Sequence, residues 1–96
     1  MKYSINVYDL QTSEILATKG TNFVSMGTFL KFTKAFETID TEKTTEETIN
    51  KVADLVCSAI PSLTIDEAIN NCDFNDLMAV FLQIVNNAKE IKQPKN

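Results

Sequence analysis

The apolar residues of this chain change their period once, near residue 25, and that switch limits the folds open to it. Before it, residues 2–8 alternate. Tyr3, Ile5 and Val7 fall on one side and Lys2, Ser4 and Asn6 on the other, the period-two pattern of a half-buried strand. A polar stretch follows, Asp9-Leu10-Gln11-Thr12-Ser13, whose Asp can fold back on its own backbone. Residues 14–19 read as a second strand that ends at Gly20, so a hairpin with a loop of about five residues is expected over 2–20. From Ser25 onward apolar residues recur at three and four: Met26, Phe29, Leu30, Phe32, Thr33, Phe36 and Ile39 share one helix face, with Ser25 as its N-cap.

Further helices are marked by their ends. After a polar linker, 40–43, a second helix starts at Thr44 or Thr45, with Thr44-x-x-Glu47 fitting a capping box. Its apolar face is Ile49, Val52, Ala53, Val56, Ala59 and Ile60, and Pro61 stops it. Thr64-x-x-Glu67 is a second capping box, with Leu63 placed to staple onto Ala68. It opens a short helix that runs to about Asn71. Asp73 caps a fourth helix from Phe74 to about Ile91, with Leu77, Met78, Phe81, Leu82, Val85 and Ala88 on one side and Phe74, Ile84 and Ile91 widening the stripe.

The expected fold is therefore α+β and mostly α, an N-terminal β-hairpin followed by about four helices packed as a small bundle. It forms a single domain over 1–92 (hairpin 2–20, helical part 25–91) with a flexible tail over 93–96. Only 2 Gly and 2 Pro in 96 residues supply too few turns for a barrel or sandwich.

Composition bears more on function. The formal net charge is −4, all nine cations are Lys, and Arg is absent. The side chain best suited to bidentate phosphate and guanine recognition is therefore missing from a chain that nucleic acid would repel. Histidine, the commonest general base and metal ligand, is absent too. Ser25, Ser58 and Ser62, like Cys57 and Cys72, thus have no imidazole to activate them. The two cysteines read as buried free thiols in a reducing compartment. Asp66/Glu67 and Asp73/Asp76 could gather a hard cation, but each pair sits where a helix begins and reads more simply as capping charge. No catalytic residue, cofactor or metal site is expected. The N-terminus has no signal-peptide core and no apolar run reaches membrane-spanning length, so no membrane partner is expected either.

What remains is hydrophobic. Six Phe are many for this length, and the wide stripe of the fourth helix exceeds one core contact. The sequence therefore nominates Phe74, Leu77, Phe81 and Ile84 as a face for a partner helix or for self-association, with Met26 and Met78 as adaptable surface residues.

Several strings together resemble the tail assembly chaperones of long-tailed phages and prophages of Gram-positive bacteria. They are Ile5-Asn6-Val7-Tyr8-Asp9, then Thr12-Ser13-Glu14, then the helix entry Phe23-Val24-Ser25. Leu63-Thr64-Ile65-Asp66-Glu67, Asp73-Phe74-Asn75-Asp76-Leu77 and Phe81-Leu82-Gln83-Ile84-Val85-Asn86 complete the match. The chain departs from that family's pattern at Cys57-Ser58-Ala59-Ile60, where a more aromatic helix end is common, and at Asn70-Asn71-Cys72, where a Gly is common. The resemblance implies a non-enzymatic protein of the host bacterial cytoplasm, absent from the mature virion. Such a protein binds the tape measure protein, keeps it soluble and recruits the tail tube protein. A longer frameshifted form of the same chain and a homo-oligomer are further implied partners. The alternative is a small prophage-encoded helical module that binds or regulates some other protein.

Overall fold

The computed structural model describes residues 1–39 and 43–92, with side chains as far as residue 87. It shows the expected α+β architecture: an antiparallel hairpin of β1 (Tyr3–Tyr8) and β2 (Ile15–Thr21), then α1 (Met26–Thr38), α2 (Glu46–Ala59), α3 (Ile65–Asn70) and α4 (Phe74–Lys92). The linker over 40–42 and the tail over 93–96 lie outside the described residues.

The hairpin follows its alternation. Tyr3, Ile5 and Val7 are buried and pair with Thr21, Lys19 and Ala17. The register slips between Val7 and Tyr8, which pairs with Ile15, so Leu16 is the extra residue of a bulge. The connection is built as the Asp allows. Asp9 Oδ1 accepts from the backbone N–H of Gln11 (2.8 Å) and Thr12 (3.2 Å), and Asp9 N–H donates to the Glu14 carbonyl (2.8 Å). Ser13 closes the turn at φ 62°.

Helix ends show one correction. The Thr44/Glu47 box does not form; α2 is capped one residue later, by Thr45, whose hydroxyl accepts from Thr48 N–H at 3.1 Å. That start buries Thr48 and leaves Glu46 and Glu47 in the first turn, at the positive end of the helix dipole. The box at α3 forms in full: Thr64 Oγ1 accepts from Glu67 N–H (3.1 Å) and Glu67 Oε1 accepts from Thr64 N–H (3.0 Å). Asn71 is drawn out of that helix because β1 claims it. Its carbonyl accepts from Tyr8 N–H at 2.7 Å and its side-chain amide donates to the Tyr8 carbonyl at 3.0 Å.

The core forms where α4 crosses the other elements, packing on α1, α2 and β1. Phe81 is fully buried and stacks on Phe32 of α1 with ring centroids 5.6 Å apart, with Phe36 tilted against it at 6.4 Å. Val52, Val56, Ile60, Leu77, Ile84 and Val85 fill the rest. Asn87 Nδ2 donates to the Tyr3 hydroxyl at 2.7 Å and ties α4 to the first strand.

Candidate functional site

The face nominated on the fourth helix is not a surface. Leu77, Phe81 and Ile84 are at most 2% exposed, and Phe74 is half-buried. The stripe is wide because three neighbours use it, α1, α2 and β1, rather than because part of it lacks a neighbour. Met78 is half-buried beside the same core, and Ile91 lies beyond the described side chains.

Exposed apolar surface lies instead on the hairpin, at Leu10, Ile15 and Leu16, and at the entry to α1. Phe23 is 74% exposed, the most exposed large apolar side chain among the described residues, and in the same segment Met26 and Leu30 are 51% and 46% exposed. Local bonding builds this ridge. The Thr21 hydroxyl accepts from Phe23 N–H (3.2 Å) and donates to the Phe23 carbonyl (2.9 Å), which fixes the backbone that carries the ring. Ser25 Oγ then caps α1 by accepting from Thr28 N–H at 3.2 Å. Met26 and Leu30, four residues apart, come to lie one above the other. At roughly 100° per residue they lie about 85–125° around the helix from the mean direction of Phe29, Phe32 and Phe36, the arc that faces the core. Val24, between Phe23 and Ser25, points inward and anchors the segment.

The sequence contained the signal: seven residues assigned to one face of α1 cover too wide an arc for one contact. Met26 belonged to the expected adaptable surface and is exposed; Leu30, assigned to the same helix face as Phe29 and Phe32, is exposed as well. Phe23, outside any helix, carried no periodic signal.

Chemistry-bearing groups elsewhere serve the fold. Glu67 completes its capping box and pairs with Lys19 Nζ at 2.7 Å, while Lys19 also donates to the Ser62 carbonyl at 2.8 Å. The Lys19 hydrogen bond and the Thr64 backbone N–H hold the Glu67 carboxyl below its ordinary value. Asp73 Oδ1 accepts from Asn75 N–H (2.7 Å) at the start of α4, and Asp66 accepts from Asn70 (2.9 Å). Among the described residues no three His, Cys, Asp or Glu side chains converge as a metal site would need.

Cys57 and Cys72 are free and half-buried rather than buried. Burial, followed by the charges of Asp54 and Glu67, pushes the Cys57 thiol up. Burial with Cys57, Glu67 and Asp76 nearby takes Cys72 up to about 11. Neither is poised as a thiolate nucleophile. An open groove of about 430 Å3 lies between the hairpin turn and the α3–α4 connection, lined in part by Asp9, Asn71 and Asp73, whose side chains already bond to backbone. No described helix is long and apolar enough to cross a membrane. The chain matches no family model, no curated protein and no solved structure.

Proposed function

We propose that this chain is a non-catalytic phage tail assembly chaperone of the host cytoplasm. It binds the tape measure protein, keeps it soluble and helps recruit tail tube subunits. The observation that carries the reading is the ridge of Phe23, Met26 and Leu30, an apolar strip on a rigid helix entry that no described part of the chain covers. It is supported by the sequence resemblance over residues 63–67, 73–77 and 81–86.

The ridge suits a long amphipathic client. Three partly exposed side chains laid along a client helix contribute on the order of 3–5 kcal/mol of gross apolar burial. After the cost of association, one copy binds far more weakly than millimolar. Several copies along one extended client convert weak single contacts into firm retention through effective concentration. Weak single contacts also let the copies leave as tube subunits replace them.

The test is co-expression with the tape measure protein of the same genome, scoring soluble client and co-purification. A client soluble only beside this chain, with both eluting together, supports the reading. A client that stays insoluble beside the folded chain, and beside any longer frameshifted form, rejects it.

A further inference from the structure

Charge is distributed unevenly around the apolar ridge. No acidic residue falls between Glu14 and Glu37, a span that holds Lys19, Lys31 and Lys34, in a chain whose formal net charge is −4. Lys19 is taken by Glu67. Lys31 and Lys34 are exposed on α1 and make no ion pair among the described residues. Lys34 follows Leu30 by four residues and so continues the Met26–Leu30 row, while Lys31 lies roughly 100° round the helix from Leu30. At the other end of the ridge Lys2 is exposed, and its backbone N–H donates to Asn22 Oδ1 at 3.2 Å, beside Phe23. The first acidic side chain on the helix, Glu37, comes about 10 Å beyond Leu30 along the axis. The ridge is thus an apolar strip with positive flanks on a chain that is negative as a whole.

We propose that the partner segment accepted here is an amphipathic helix whose apolar stripe is bordered by Asp or Glu. The stripe lies on Phe23, Met26 and Leu30, and the carboxylates meet Lys31 and Lys34. This rests on the chaperone reading for the ridge as a client surface and adds the chemistry of the client segment. Charge sign and width select the occupant. A helix about 10–12 Å across meets the strip and its lysines alone. A planar anionic membrane would meet a broader face of a net-negative chain, and two unpaired lysines fall short of the basic cluster that such a surface needs. The direction of the preference also separates local contact from bulk electrostatics. A chain of net charge −4 attracts a basic peptide over an acidic one, unless the acidic peptide docks where the charge is locally positive.

The contact is tested without the tape measure protein. Isotope-labelled full chain is titrated with two synthetic helical peptides of equal length and the same Leu stripe, one bordered by Glu and one by Lys. Amide shifts by NMR report weak binding as initial slopes. The Glu-bordered peptide is expected to move the amides over 23–34, with a slope roughly tenfold steeper than the Lys-bordered peptide at low salt and a difference that closes as salt screens the charges. Lys31→Glu with Lys34→Glu is expected to reverse the preference, and Lys31→Gln with Lys34→Gln to abolish it. Both pairs are exposed, so the fold is expected to survive, and the wild-type comparison stands by itself if one variant fails to fold by circular dichroism.

A Lys-bordered peptide that binds as well or better overturns the proposal, as does a preference that survives the charge reversal or shifts that map away from the ridge. Ridge shifts that follow chain concentration with no peptide present would give the surface to a second copy, and ridge shifts caused only by phosphatidylserine vesicles would give it to a membrane. Either result also overturns it. Client retained in co-expression with no peptide preference keeps the chaperone reading and removes this inference. A clear preference with no client retained removes the chaperone reading and leaves the ridge as a receptor for acidic helices of another protein.

Discussion

Replacing Phe81 and Phe23 by Ala, in separate variants, separates the core from the surface more sharply than any other pair. Phe81 is fully buried, stacked on Phe32 at 5.6 Å and flanked by Phe36. Truncating it removes the transfer energy of the ring and opens a cavity between α1 and α4 that rigid neighbours fill only in part, a loss of about 3–5 kcal/mol. A domain of this size has about 5–14 kcal/mol of stability in all, so the variant falls to marginal folding. Phe23 is 74% exposed, and its truncation is expected within about 0.5 kcal/mol of wild type. Urea denaturation followed by circular dichroism measures both, and the Phe81→Ala midpoint should fall steeply with little change in slope. A Phe81→Ala loss below about 1 kcal/mol, or a Phe23→Ala loss above about 2, would refute this division of the Phe residues. For the same reason Phe81→Asp is expected to unfold the chain.

Other expectations follow from particular atoms. A Cβ at Gly20 would run into the Tyr3 carbonyl oxygen, so Gly20→Ala should destabilise by about 1–3 kcal/mol. At Gly27 it meets only Ser25 Oγ at 4.0 Å, an ordinary contact, so Gly27→Ala should stabilise α1 by about 0.5–1 kcal/mol; thermal melts report both. Because Glu67 is held below its ordinary value, its contribution is present above the unfolded carboxyl range and lost as pH falls through the lower folded value. Glu67→Gln should therefore flatten the acid limb of a stability–pH curve, and an unchanged limb would contradict the pairing. Native alkylation of Cys57 and Cys72 near pH 8 should run slower than in denatured chain, because both thiols are raised, and equal rates would count against their burial.

Most of the fold was legible because each element carried its own local signal. The alternation of Tyr3, Ile5 and Val7, the Pro61 stop and the Thr64/Glu67 box all act within a few residues, and the structure follows each of them. The start of α2 fell at Thr45, one of the two expected positions, but the Thr44/Glu47 box did not form, because two adjacent threonines offer the same cap and the Thr45 start buries Thr48. The candidate surface was legible only in part. A wide apolar stripe states how much of a helix avoids water, not how many neighbours share it. On α4 three elements share it; on α1, with a narrower arc engaged, Met26 and Leu30 are left outside. Phe23 owes its exposure to Thr21 and the turn into α1, a local arrangement outside any helix that leaves no periodic trace.

The measurement that most directly tests the central claim is co-purification of the tape measure protein with three forms of this chain: wild type, Leu30→Asp and Leu16→Asp. Leu16 is 63% exposed on the hairpin, away from the ridge in sequence, and controls for the loss of any exposed apolar group. The account predicts that wild type and Leu16→Asp retain the client, while folded Leu30→Asp releases it. Retention by Leu30→Asp equal to wild type would contradict the assignment of the α1 ridge as the client surface.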